Sequence, residues 1–164
     1  MKKEKGFTLI ELLVVIAVIG MLSSIVLVSL GPARQKARDA RRQSDIRQIN
    51  LAMEMCYDDP TCAGVNRYID TSAGANTVTT IDKDSTPLYL TVPKDPTDTS
   101  PYQYTWTANA SPYQYYCVYT KLEAETNTFV CASNKGTLKK AATFNCTPNT
   151  APCNADCCGP NVTQ

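Results

Sequence analysis

The 164-residue chain contains no histidine. That removes the side chain most often used as a general base near neutral pH and the commonest protein ligand for a metal ion, so His-dependent catalysis is excluded. An excess of charge is missing as well. Sixteen Lys and Arg face fifteen Asp and Glu, a formal net charge of +1, which supplies no general basic field for a nucleic acid. The cysteines lack the paired C-x-x-C knuckles of a zinc ribbon, and no D-x-D-x-D-G loop is present, so Asp82, Asp84, Asp95 and Asp98 read as turn-formers before calcium ligands. No cofactor and no metal are expected.

What the chain does have is one long apolar run near its start. From Phe7 to Leu30 the polar side chains are Thr8, Glu11, Ser23, Ser24 and Ser29, and about 20 apolar residues suffice to cross a bilayer as a helix. A secretory signal would end in small residues and a cleavage site on its far side. Here the far side reads SLGPARQKARDARR, so the helix is expected to stay in the mature protein. A carboxylate inside such a run is costly and marks a function with a definite partner. Glu11 is that carboxylate. Upstream, Lys2, Lys3 and Lys5 form a basic leader that ends at Gly6.

The stretch KGFTLIELLVVIAVIG resembles the N-terminal signal of type IV pilins and type II secretion pseudopilins. The resemblance implies that a prepilin peptidase cuts after Gly6, that the new terminus Phe7 is methylated, and that Glu11 neutralises the terminal ammonium of an adjacent subunit during assembly. Methylation leaves that amine cationic, so the charge pairing survives. Losing Lys2, Lys3, Glu4 and Lys5 removes a net +2 and leaves −1 before the new terminus is counted.

The rest of the chain divides by composition. The leader is 1–6, the transmembrane and filament-core helix 7–30, its amphipathic continuation 31–55, and the head 56–164. In 31–55 good helix formers dominate after Gly31 and Pro32, where a kink is expected. Ile46, Ile49 and Met53 recur at helical spacing, with Ala37, Ala40 and Ala52 as small contacts on the packed face. The basic residues Arg34, Lys36, Arg38, Arg41, Arg42 and Arg47 read as a solvated or subunit-contacting face, with DNA binding the less favoured reading. They oppose the positive-inside rule, which the leader lysines obey; the cysteines and the leader motif decide for a cytoplasmic N-terminus.

In the head, 56–100 reads as a helix-to-strand loop, 101–133 as a β-meander and 134–164 as a Cys-rich tail. Strands are expected at 102–106, 113–122 and 128–133. The stretch TPLYLTVPKDPTDTSPYQYTW resembles the pseudopilin segment in which a Pro-Lys-Asp-Pro turn feeds the first strand. All eight cysteines, Cys56, Cys62, Cys117, Cys131, Cys146, Cys153, Cys157 and Cys158, lie beyond the membrane segment, and their even number points to disulfides in an oxidising compartment. Cys56 and Cys62 are close enough to staple a turn. Cys117 and Cys131 are equidistant from Ala124, so a regular hairpin is expected to set them opposite one another. Asn109, Asn145 and Asn161 head glycosylation sequons, read as chance occurrences.

The expected fold is α+β: a long N-terminal helix on a small antiparallel sheet of about three strands. The expected function is that of a non-enzymatic pilin, a homo-oligomeric filament subunit serving adhesion, motility or DNA uptake. It is held by membrane lipid before assembly, then built by a membrane platform and assembly ATPase into a cell-surface pilus. It has no small-molecule substrate. The alternatives are the major pseudopilin of a type II secretion system and a signal-anchored binding module that never polymerises.

Overall fold

The computed structural model describes residues 6–71, 74–82, 88–107, 109 and 113–141. Its spine is one helix, α1 (Leu9–Asp58), 50 residues long and therefore about 75 Å at 1.5 Å per residue. Helicity is continuous through Gly31 and Pro32. Pro32 brings no N–H, so the Val28 carbonyl loses its partner, but one missing bond does not end a helix carried by good formers on both sides. Asp59 caps the far end, its N–H bonding the Cys56 carbonyl at 3.3 Å, and its carboxylate accepts the Thr61 N–H at 2.7 Å. The Cys56–Cys62 disulfide closes the turn as expected.

Seven strands follow: β1 (Gly74–Ala75), β2 (Thr80–Asp82), β3 (Leu88–Thr91), β4 (Thr105–Trp106), β5 (Cys117–Lys121), β6 (Thr128–Ser133) and β7 (Gly136–Ala141). They form a five-stranded antiparallel sheet, ordered β1-β4-β5-β6-β7, and a separate β2-β3 pair. The three expected strands are β4, β5 and β6. β1, β2 and β3 fall in the stretch read as loop, and β7 falls in the stretch read as tail. GTLKKA has no period-two pattern, yet a two-residue turn at Asn134 and Lys135 folds it back on β6, and Gly136 takes the φ of +100° that a side chain resists.

The core lies between α1 and the sheet. Ile46, Ile49, Ala52, Met53 and Cys56 meet Trp106, Tyr116, Val118, Leu122, Val130 and Ala132. Ala37 and Ala40, expected on this face, are exposed: Ala37 precedes the point near residue 38 where the helix meets the head, and Ala40 falls off the buried stripe through Asp39, Arg42 and Ile46. Burying each large apolar side chain is worth roughly 1.5–3 kcal/mol. The disulfide adds a restraint on the unfolded chain. With six residues of separation, its loss in Cys56→Ser/Cys62→Ser lowers stability by about 2 kcal/mol, measurable by urea denaturation.

Candidate functional site

Two polar constellations stand out on α1, one at its N-terminus and one where it meets the head. At the N-terminus Thr8 is the cap. Its hydroxyl accepts the Glu11 N–H at 3.3 Å, and the Glu11 carboxylate reaches back to accept the Thr8 N–H at 2.8 Å and the Thr8 hydroxyl at 2.7 Å. This reciprocal capping box holds the acid against the N-cap residue, one peptide bond from Phe7. Among the described residues no cation pairs with it. Sequence reasoning missed Thr8, although T-x-x-E before an apolar run is its signature.

Below the cap the helix is apolar on every side and buries nothing. Residues 6–37 are all exposed, with Phe7 at 83% and Val28 at 81%. Among the described residues it is the single helix long and apolar enough to cross a membrane. Two of its three serines satisfy themselves: Ser24 donates to the Met21 carbonyl at 2.7 Å and Ser29 to the Val26 carbonyl at 2.9 Å. So large an apolar surface needs lipid or protein against it.

Where α1 enters the head, the basic face turns inward. Arg42 is fully buried, lying on the same stripe as Ile46, Ile49, Met53 and Cys56. Its guanidinium grips Asp95 with two bonds, Nε to Oδ2 at 2.5 Å and Nη2 to Oδ1 at 2.9 Å. It also bonds Asp39 at 2.8 Å and Glu123 at 2.7 Å and lies over the Tyr102 ring. Arg38 adds a two-bond grip on Glu123, and Asp39 accepts the N–H groups of Glu123 and Ala124. One helical turn thus pins both the 92–98 loop and the β5–β6 turn.

The electrostatics follow from these bonds. Burial works against the charged Asp95, but hydrogen bonds from Arg42 and Thr97 outweigh it and hold the carboxyl below its ordinary range. Glu123 is likewise lowered, first by the Arg38 bond and, against burial, by Arg42. Asp45 accepts from the buried Tyr104 hydroxyl at 2.7 Å, and burial followed by that bond pushes the phenol up. Sequence reasoning had left Arg42 on the solvated face. Its 4-3-4-3 spacing to Ile46, Ile49, Met53 and Cys56 was the available signal.

Residues 1–27 match the family described as the prokaryotic N-terminal methylation motif. A probable minor fimbrial protein of Dichelobacter nodosus is 36% identical over 81 residues, 48% of this chain and 51% of that protein. A type II secretion system core protein G of Pectobacterium carotovorum subsp. carotovorum is 35% identical over 78 residues, 48% and 47% of the two chains. Over about half of its length the chain is thus similar to both a fimbrial protein and a type II secretion core protein. A third relative, type IV major fimbrial protein FimA of Dichelobacter nodosus, is 38% identical over 61 residues, 37% and 39% of the chains. The chain spans about half the length of the relatives it matches. No solved structure matches.

The match to the methylation motif covers Gly6, Phe7 and Glu11 together. The leader residues 1–5 lie outside the described residues, as do Asp84, Asn145, Asn161, Cys146, Cys153, Cys157 and Cys158. The expected Cys117–Cys131 bridge is corrected: the register places Ser133 opposite Cys117 and Tyr119 opposite Cys131, and the two cysteines are not bonded to each other. The 123–127 loop is centred on Glu125, closed by the Leu122 N–H to the Thr128 carbonyl at 2.8 Å, so symmetry about Ala124 fails by one residue. Asp95 is a turn-former, accepting the Thr97 N–H at 2.8 Å, and also the buried partner of Arg42. Asn109 spends its amide inside the head on Thr71, Ile69 and Tyr115, which leaves it unsuited to carry a glycan.

Proposed function

We propose that this chain is a structural subunit of a type IV pilus-like helical filament, anchored in the membrane with its N-terminus cytoplasmic, cut after Gly6 and methylated at Phe7. The observation that carries this reading is the helix apolar on all faces, with a single carboxylate turned back toward the residue where the new terminus forms. In lipid that surface is covered by acyl chains; in a filament it is covered by copies of itself. The Glu11 carboxylate then accepts a neighbour's terminal ammonium, and a buried charge is tolerable when so paired. The fimbrial relatives support a surface fibre.

A second reading, the major pseudopilin of a type II secretion system, is favoured by the core protein G relative. Electron microscopy of sheared surface material separates the two. Long fibres containing this chain support the pilus, whereas absence of fibres with loss of protein secretion on deletion supports the pseudopilus. A monomeric, uncut chain refutes both and leaves the signal-anchored binding module.

Cleavage has its own test. A Cβ on Gly6 meets no atom within 4 Å, so a bulky residue there leaves this fold undisturbed. Gly6→Leu therefore accumulates as full-length precursor in the membrane, and mass spectrometry finds an N-methylated Phe7 start in the wild type alone. A methylated Phe7 start in the variant overturns the assignment.

A further inference from the structure

Between its apolar run and the head, α1 has a bare neck. The run ends at Leu30 and the head is first gripped by Arg38, through Glu123, so residues 31–37 stand between the two and are all exposed. The neck reads GPARQKA and rises about 10 Å. It carries two cations, Arg34 and Lys36, and no acid. Among the described residues neither cation forms an ion pair.

The acids at this end of the head are already taken. Asp39 and Asp95 bind Arg42, Glu123 binds Arg38 and Arg42, and Glu125 pairs with Lys139. Asp45 accepts from the Tyr104 hydroxyl and lies 3.7 Å from Arg41. The charge on Arg34 and Lys36 is therefore left for an anion from outside the described chain.

The position of the neck says which anion. Phe7 to Leu30 rises about 36 Å, enough to cover a hydrocarbon core of about 30 Å, and the polar layer beyond that core is about 5–8 Å thick on each side. The neck is as tall as that layer and is the first stretch of chain to leave the hydrocarbon. Arg34 and Lys36 are two residues apart, about 200° around the helix, so headgroups on either side of it meet a cation. Helical side chains lean toward the helix N-terminus, here back toward the bilayer, and long basic stems reach the polar layer while their carbons lie along the apolar surface. We propose that Arg34 and Lys36 form a cationic collar that gathers anionic phospholipid headgroups, through their phosphates, around the neck. The collar requires that α1 span a membrane, as in the proposed function, but in either orientation. The basic stretch thus divides: Arg38 and Arg42 serve the head, and Arg34 and Lys36 serve the lipid. Each cation near the surface favours an anionic membrane by a factor of about five, an effect that fades beyond a screening length of about 8–10 Å.

The test uses the full-length chain with Lys2, Lys3 and Lys5 replaced by Gln in every sample, so that the leader contributes no charge of its own. It is placed one copy per nanodisc, in discs holding equal phosphatidylglycerol and phosphatidylcholine, and native mass spectrometry counts the lipids each chain retains. The expected result is a preference for phosphatidylglycerol that falls about fivefold or more in Arg34→Gln/Lys36→Gln. Both positions are exposed and unpaired, so the fold is unaffected. Arg47→Gln, an exposed cation about 25 Å beyond Leu30, leaves the preference unchanged. An undiminished preference in the double variant, or an equal fall in Arg47→Gln, overturns the collar while the membrane span stands. A preference seen only with several copies per disc assigns the two cations to a subunit contact and also overturns it. A chain that fails to stay with discs of phosphatidylcholine alone refutes the span itself, and the collar with it.

Discussion

Arg42→Ala destabilises the head by about 3–5 kcal/mol, the typical cost of removing one partner from a buried charge pair. The substitution leaves Asp95, which is fully buried, and the largely buried Asp39 and Glu123 without the cation they share. Trp106 is the chain's one tryptophan and is 1% exposed, so its fluorescence during urea denaturation in detergent reports head unfolding. Arg42→Lys falls between wild type and alanine, since an ammonium is a point charge and cannot reproduce the two-bond grip on Asp95 while also reaching Glu123. A loss below about 1 kcal/mol in the alanine variant, the scale of a surface pair, refutes the buried-anchor account.

The same cluster sets an acid limit. Asp95 and Glu123 titrate lower in the folded chain than in the unfolded one. Their contribution is therefore present above the unfolded carboxylate range, about pH 4, and is lost as pH falls through the lowered folded values. In Arg42→Ala the stranded acids favour the protonated form, so the stability gap between wild type and variant narrows on acidification. A gap that widens as pH falls contradicts the assignment.

Glu11→Ala has the larger effect on function. On the proposed assembly, it removes the acceptor for an incoming subunit's Phe7 ammonium while making the helix more apolar, so membrane insertion is undiminished and cleavage proceeds. Each added subunit then brings a buried cation without a partner. At one decade per ~1.4 kcal/mol, the cost of a broken buried pair lowers incorporation by roughly a hundredfold or more at every step of growth. Immunoblots of membrane and sheared fractions find the mature variant in the first and not in the second. Thr8→Val, which keeps the shape but loses the hydroxyl that holds the carboxylate, gives a partial defect. Normal fibre yield from Glu11→Ala removes this carboxylate from the assembly contact.

Much of the molecule was legible because its determinants are local. The apolar run, the helical recurrence of Ile46, Ile49 and Met53, and the six-residue spacing of Cys56 and Cys62 act within one or two turns of chain, and each takes the expected form; the T-x-x-E cap is equally local but was missed. What else sequence reasoning missed depends on partners far along the chain. Arg42 looks like one more cation of a basic stretch until Asp95, 53 residues on, and Glu123 close around it. β7 has no period of its own and is a strand because β6 offers an unpaired edge across a two-residue turn. The β5–β6 register, which separates Cys117 from Cys131, follows from how the 123–127 loop closes rather than from counting to its middle. By itself the sequence determined the membrane-length helix, the acid within it and the N-terminal motif they form, since hydrophobicity and charge are read residue by residue. Only the tertiary structure decided which charges are buried, how many strands the sheet has and which cysteines face one another, because those outcomes depend on contacts between segments that no local pattern records.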